Sequence, residues 1–101
     1  MDFSITFNEE KNQLLKVTRG VCFEDILMAL EKGKLLADIA HPNNQRANQK
    51  VYIVQIGQYA YAVPYVINEQ KREIFLKTVY PSRVFTKIYL ERKRHEKTTK
   101  K

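Results

Sequence analysis

The chain has 101 residues, of which 44% are hydrophobic and 11% aromatic, and it carries a formal net charge of +7. These values predict one folded domain over residues 1–101 and exclude a mainly disordered chain. The single cysteine, Cys22, excludes an internal disulfide and a multi-cysteine zinc site. No apolar run approaches the roughly 20 residues that span a bilayer, and the N-terminus has no signal-peptide pattern, so we expect a cytoplasmic protein without a membrane partner.

The first third of the chain predicts a short strand and two helices. Apolar and polar residues alternate in segment 3–8, as in a strand. Asn8 is placed to cap a first helix, which Gly20 ends in a left-handed conformation. Apolar residues then recur every three or four positions, which predicts a second helix that ends at Gly33. Segment 35–39 is predicted as a further strand.

The centre of the chain predicts a β-hairpin after a polar loop at 41–49. Two strand-like runs, 50–56 and 59–67, flank Gly57-Gln58, and a glycine at the first of two turn positions is typical of a type II′ turn. The second run alternates large and small residues, so a helix can pack closely on its small side. Pro64 has no amide hydrogen, which predicts an edge position or a bulge there.

The last part of the chain predicts a strand at 74–80, ended by Pro81, and a basic helix that begins near Ser82. From Lys77 onward nine Lys/Arg face two acids, whereas residues 1–76 are electrically neutral. The order of elements predicts an α+β fold, with two N-terminal helices and a basic C-terminal helix packed on a small antiparallel sheet. From about residue 95 we expect a charged, frayed tail.

The stretch 77–94 holds the strongest candidates for a functional site. A polarised basic face attracts phosphate, an acidic protein surface or anionic lipid, and charge alone does not separate the three. Arg83 offers a bidentate fork beside a helix N-terminus, and cleavage of RNA without metal needs such donors and a base for the 2′-OH proton. By chemistry the candidate catalytic residues are Arg83, Lys87, Lys77, His41 and Tyr65, and the candidate RNA-binding residues are Tyr80, Arg92, Lys93 and Arg94.

Each candidate also has an ordinary structural interpretation, which the sequence leaves open. Basic side chains on an amphipathic helix are commonly a solvated face, tyrosines on a strand commonly pack in a core, and a loop histidine such as His41 is commonly polar surface. Cys22, between Val21 and Phe23, is typical of a small buried hydrophobe. With two histidines and no HExxH pattern, the sequence predicts neither a metal site nor a cofactor.

Two segments resemble the BrnT-type toxins of bacterial toxin–antitoxin systems, small relatives of the RelE/ParE toxins. Segment 7–26 (FNEEKNQLLKVTRGVCFEDI) resembles the opening of that family, with an acid-rich helix start, a basic-Gly turn and Phe-Glu-Asp. Segment 80–91 (YPSRVFTKIYLE) is similar to its closing pattern, in which an arginine precedes Thr-basic and then Tyr. The chain departs from the family in lacking Trp and in having Val84-Phe85 where members tend to have further arginines.

The resemblance implies a RelE-like fold and a metal-independent, cofactor-free endoribonuclease that cleaves mRNA, free or on the ribosome, and blocks translation. It implies that Arg83 contacts the phosphate, with Lys87 and Tyr89 from the same motif, and that an antitoxin encoded by an adjacent gene is the partner. A second hypothesis stays open. In it the chain is a non-catalytic module that binds RNA or an acidic protein through its basic C-terminal helix.

Overall fold

Within residues 3–40 and 49–91, which the computed structural model describes, six strands form one sheet with helices on both sides. The chain order is β1 (Ser4–Phe7), α1 (Glu9–Arg19), α2 (Phe23–Glu31), β2 (Leu35–Ala40), β3 (Gln49–Ile56), β4 (Tyr59–Asn68), β5 (Glu73–Leu76), β6 (Tyr80–Pro81), α3 (Arg83–Thr86) and a π-helical turn (Lys87–Glu91). This confirms the α+β class, the two N-terminal helices and the strand predicted at 35–39.

The sheet is mixed, which corrects the prediction of an antiparallel one. The strands run in the order β1-β5-β4-β3-β2, and β6 pairs with β4. The pairs β2–β3, β3–β4, β4–β5 and β4–β6 are antiparallel, but β1 and β5 are parallel. Parallel neighbours need a long connection, and here most of the chain lies between the two strands. Alternation within β1 predicts a strand but carries no information on the direction of its partner.

The N-terminal helices begin and end where the capping residues predict. The Asn8 side chain accepts a hydrogen bond from the Lys11 N–H at 2.8 Å, and Gly20 has φ +70° at the end of α1. Asn12 is fully buried between the helices, where its Oδ1 accepts from the Phe23 N–H at 2.7 Å and its Nδ2 donates to Glu24 at 2.9 Å. The bond from Asn12 lowers the pKa of the Glu24 carboxyl.

The two faces of the sheet are built differently. The closed face is the side packed by α1 and α2, and its core includes Val54, Val63 and Leu76 together with the helix residues Leu15, Phe23 and Ile26. The open face is the opposite side, which carries Ala60, Ala62 and Phe75. Ala60 and Ala62 are fully buried under Phe85, Tyr89 and Leu90 of the C-terminal helical segment. The small residues of β4 therefore admit a helix at close range, as the sequence predicts.

The central hairpin has the predicted turn. β3 and β4 pair without interruption from Gln49 opposite Val66 to Ile56 opposite Tyr59. Gly57 has φ +65°, whereas Gln58 does not have a positive φ. A positive φ at the first turn position alone is what a type II′ turn requires, and a side chain at Gly57 would strain the hairpin.

The predicted strand at 74–80 is broken in its centre. β5 ends at Leu76, residues 77–79 are unpaired as a strand, and pairing with β4 resumes at Tyr80. Pro64 lies opposite this break: β4 is an interior strand, but beside Pro64 it has no ladder partner on the β5–β6 side. A proline has no amide hydrogen to give to a ladder, which explains why regular pairing stops there.

Candidate nucleic-acid interface

The segment between β5 and α3 follows β4 with one extra residue. Leu76 lies opposite Tyr65 and Tyr80 lies opposite Ala62, so four steps along this segment match three along β4. The insertion has the character of a β-bulge, which bends a strand and changes the face that its following residues occupy. Bulges are common beside functional sites. The segment between β5 and α3, which holds basic candidates, is therefore irregular because of this extra residue.

Three hydrogen bonds fix the irregular segment to the rest of the molecule. The Lys77 N–H donates to the Pro64 carbonyl at 2.8 Å, and the Ser82 N–H donates to the Ala60 carbonyl at 2.9 Å. Between them, Arg19 at the end of α1 donates from Nη1 to the Val79 carbonyl at 2.5 Å. The backbone of the bulge is thus anchored at both ends and at its centre despite the lost ladder.

Arg83 begins a very short helix in which the N–H groups of Phe85 and Thr86 already have partners. The Ser82 hydroxyl oxygen accepts from the Phe85 N–H at 3.1 Å, and the Thr86 N–H donates to the Ser82 carbonyl at 3.0 Å. The buried Thr86 hydroxyl also donates to that carbonyl at 2.7 Å and accepts from the Ala60 N–H at 2.8 Å. This four-residue helix continues directly into the π-helical turn, and the prediction that its N-terminal N–H groups favour a phosphate stays a prediction. The exposed side chain of Arg83 at the start of α3 is the group that can contact a phosphate.

Three further candidates lie on or near this segment. Lys77 and Lys87 are exposed, and 40% of the Tyr80 side chain is accessible. Lys87 is four residues beyond Arg83, and its N–H donates to the Arg83 carbonyl. Tyr89 is half-buried against the sheet, with its ring centroid 6.1 Å from that of Phe85. Tyr89 therefore packs the helical turn, and the exposed set consists of Lys77, Tyr80, Arg83 and Lys87.

Tyr65 lies elsewhere. It is 2% exposed and belongs to the closed face, so the sheet separates it from the helical segment that carries Arg83. Its hydroxyl donates to Asp38 Oδ1 at 2.6 Å, and its ring stacks on that of Tyr52 with centroids 4.0 Å apart. Lys50 Nζ is 3.6 Å from the other oxygen of Asp38. Burial, followed by the bond to Asp38, raises the pKa of Tyr65, and burial also raises the pKa of Tyr52.

The other polar candidates fall into two groups. His41, Arg92, Lys93 and Arg94 lie outside the described residues, as does the predicted tail from about 95. Cys22 is buried, its backbone N–H donates to Asp25 Oδ2 at 3.0 Å, and burial raises the pKa of its thiol, so it is protonated at neutral pH. This confirms the interpretation of Cys22 as a buried structural residue.

Two broader findings apply to residues 3–40 and 49–91. No helix there is long and apolar enough to cross a membrane. No three His, Cys, Asp or Glu side chains gather there in a way that holds a metal ion.

Sequence reasoning missed residues that help to build this region. Arg19 is assigned only to the end of a helix, yet it holds the bulge, and its partner lies 60 residues away in the chain. Phe75 is assigned only to a strand, yet it is 40% exposed. Asp38 sits in a weakly predicted strand and pairs with Tyr65 and Lys50. The pairing of Phe75 with Val66 shows that Phe75 lies on the open face. Alternation along the strand predicts that neighbours point to opposite faces, but it does not say which face each one occupies.

No protein-family model matches the chain, and no curated protein sequence matches it. The fold is similar to a solved structure, the archaeal RelE–RelB complex from Pyrococcus horikoshii OT3. The match covers 80% of this chain and 96% of that chain, with 13% sequence identity and a TM-score of 0.47. A likeness of this size carries no argument about activity, so the functional argument rests on the residues of this chain.

Proposed function

We propose that this chain is the toxin component of a toxin–antitoxin pair and acts on RNA as a metal-independent endoribonuclease that inhibits translation. The observation that carries the proposal is the exposed set of Lys77, Tyr80, Arg83 and Lys87 on one anchored segment. In the described part of the chain none of these cations forms an ion pair, since the ion pair found there joins Lys50 to Asp38. Cations that no acid among the described residues pairs with are available to neutralise phosphate.

RNA suits this surface better than the other anionic partners. An exposed tyrosine lies between two of the cations along the chain, and aromatic rings among cations are typical of surfaces that bind unpaired nucleotides. The resemblance of segments 7–26 and 80–91 to BrnT-type toxins points in the same direction. It adds the cognate antitoxin as a partner, and an acidic antitoxin segment would compete with RNA for the same cations.

The proposed reaction is an internal transfer within the RNA. The 2′-oxygen attacks the neighbouring phosphorus, a base takes the 2′-OH proton, and the bond from phosphorus to the 5′-oxygen breaks. The products are a 2′,3′-cyclic phosphate and a 5′-hydroxyl. Arg83 is placed to stabilise the charge on the phosphate with its planar fork, with help from Lys87 or Lys77. Among the sequence candidates, His41 has the chemistry of the base.

The test is expression in a bacterial host that lacks any antitoxin. Wild type, Arg83→Ala and Lys34→Ala are induced to equal abundance, and growth and mRNA integrity are recorded. Lys34 is an exposed cation far from the anchored segment in sequence, so its substitution controls for the loss of one charge. We expect wild type and Lys34→Ala to arrest growth and degrade mRNA, and Arg83→Ala to do neither. Normal growth with intact mRNA in all three would contradict the proposal.

A non-catalytic module is the second candidate, and the position of Tyr65 favours it. The Tyr65 hydroxyl is buried and occupied by Asp38, so it is not free to exchange a proton with RNA bound near Arg83. In this case purified protein would bind RNA but leave it intact, with or without ribosomes. Substitution of Arg83 would then weaken binding gradually and would abolish no chemical step.

A further inference from the structure

The bulge at residues 77–79 places two exposed aromatic rings on the same side of the sheet. Phe75 pairs with Val66, and Tyr80 pairs with Ala62. Val66 and Ala62 are an even number of residues apart on β4, so both pairs belong to the open face. Phe75 and Tyr80 are five residues apart, and a regular strand would point them to opposite faces. The extra residue in the bulge reverses that outcome.

The two rings are accessible and suitably spaced. Phe75 and Tyr80 are each 40% exposed. Their register positions are four residues apart on β4, about 13 Å at 3.3 Å per residue. Pro64, half-buried, lies between these positions on the same face. The rings and this intervening residue form an uncovered patch beside the part of the open face that α3 covers.

Cations alternate with the rings along the chain. Lys77 follows Phe75 by two residues and Arg83 follows Tyr80 by three, and both cations are exposed. The order is ring, cation, ring, cation, and Glu73 stands at the β5 end of the row. Base faces stack on aromatic rings while phosphates contact cations, and stacking is tolerant of sequence because every base has a flat face. A duplex keeps its bases inside and presents none to the rings.

From this arrangement we infer that the open face is a stacking platform for single-stranded RNA, with one base on Phe75 and another on Tyr80. One phosphate would contact Lys77, between the two rings, and another would contact Arg83, beyond Tyr80. This rests on the proposed function and deepens it, because it names the form of RNA that the surface accepts. Phe75 becomes a binding residue, although neither its strand position nor the resemblance assigns it a role.

The test measures binding of a fluorescein-labelled, unstructured RNA oligonucleotide by anisotropy, with a duplex of the same sequence beside it. Variants are Phe75→Leu and Tyr80→Leu, and Phe3→Leu is the matched control because Phe3 is also 40% exposed. We expect wild type to prefer the single strand. Phe75→Leu and Tyr80→Leu should each weaken binding about tenfold, and Phe3→Leu should bind as wild type does. Circular dichroism spectra and melting temperatures verify that the variants fold.

The outcomes separate this inference from the proposed function. If wild type binds RNA but both leucine variants bind equally well, or if the duplex binds as tightly as the single strand, the stacking platform is wrong and the proposed function stands. If wild type binds no RNA at all, both are wrong, and the open face becomes a surface for a protein partner. If Phe3→Leu loses as much affinity as Phe75→Leu, the effect is not specific to the open face, and the inference is also contradicted.

Discussion

The closed and open faces of the sheet differ in how they are packed and in what they leave exposed. On the closed face, two well-capped helices cover large apolar residues, and the buried polar groups Asn12 and Tyr65 have hydrogen-bond partners. On the open face, a four-residue helix and a π-helical turn cover the small residues of β4 together with Val51 and Ile53 of β3, and the bulged segment beside them leaves rings and cations exposed. The closed face is built for stability, and the open face keeps its chemistry available to a partner.

This difference shows which parts of a small fold are free to bind. A sheet with one face fully packed already has a core, so its other face can hold an irregular segment. That segment is still fixed, because Arg19 from the closed side donates to the Val79 carbonyl in the bulge. The two faces are therefore separate in role but joined at the bulge, where the Val79 side chain is also buried in the closed-face core.

The largest effect should come from the closed-face core. Ile26 is fully buried between α2 and the sheet, and we expect Ile26→Ala to lower the free energy of unfolding by about 2–5 kcal/mol because it leaves a cavity. Val84→Ala, on the exposed side of α3, should change it by less than about 0.5 kcal/mol. Urea denaturation measures both changes in the free energy of unfolding. Equal changes would contradict the view that the closed-face core supplies more stability than the exposed side of α3.

A second effect should appear where α3 meets the open face. Ala62 is fully buried there, and Ala62→Leu should cost about 1–3 kcal/mol because the added methylenes have no space beneath the helical segment. Val66→Leu, on the uncovered part of the same face, is the control and should cost less. If Val66→Leu lowers the free energy of unfolding as much as Ala62→Leu does, then the packing of α3 is not what makes Ala62 sensitive to a larger side chain.

The Tyr65–Asp38 pair should give a smaller effect that depends on pH. Tyr65→Phe removes one hydrogen bond and should cost about 1 kcal/mol at neutral pH. Burial raises the pKa of Tyr65 above its ordinary value of 10.0, so the folded state favours the neutral hydroxyl. Its contribution to stability is therefore complete below about pH 10 and declines as the pH rises above that value.

Urea denaturation at about pH 8 and about pH 11 measures this contribution in wild type and in Tyr65→Phe. Wild type should lose more stability than the variant over this interval, because the variant has no hydroxyl to ionise. Tyr52 is present in both proteins and stacks on residue 65, so the difference reports on the Tyr65 hydroxyl together with its effect on Tyr52. Parallel losses in the two proteins would mean that the Tyr65 hydroxyl is not held as the structure describes.

The smallest effect should be on the salt dependence of RNA binding. Lys77→Met should make the plot of log affinity against log salt shallower by about one unit between about 50 and 200 mM, because one phosphate contact is lost. Lys34→Met should leave the slope unchanged, and Tyr80→Leu should lower affinity without changing the slope. A slope that responds equally to Lys34→Met would place the RNA elsewhere on the molecule.

The sequence predicts local features well and distant ones poorly. The capping at Asn8, the turn at Gly57 and the small residues Ala60 and Ala62 follow from short-range chemistry, and all are confirmed. The parallel pairing of β1 with β5 and the bond from Arg19 to Val79 join residues far apart in the chain, and no local pattern contains them. The bulge is only partly predictable from the sequence. Pro64 indicates that strand pairing is interrupted, but it does not indicate which face of the sheet Tyr80 occupies after the interruption.

For the candidate site the sequence finds the segment but not its arrangement. Charge identifies the region from Lys77 onward, and Arg83, Lys87 and Tyr80 are exposed on it. Tyr65 is separated from them by the sheet, because alternation along β4 directs it to the closed face. Phe75 becomes a candidate only through pairing register, which depends on the partner strand rather than on neighbours in sequence.

The most direct test of the account is to locate RNA on the folded protein. Amide resonances of ¹⁵N-labelled protein are followed while an unstructured single-stranded RNA is added, under conditions that prevent cleavage. The account predicts shifts concentrated at Phe75, Lys77, Tyr80, Arg83 and Lys87, with Leu15 and Ile26 on the closed side unaffected. Shifts concentrated on α1 and α2, with the open face unchanged, would contradict it.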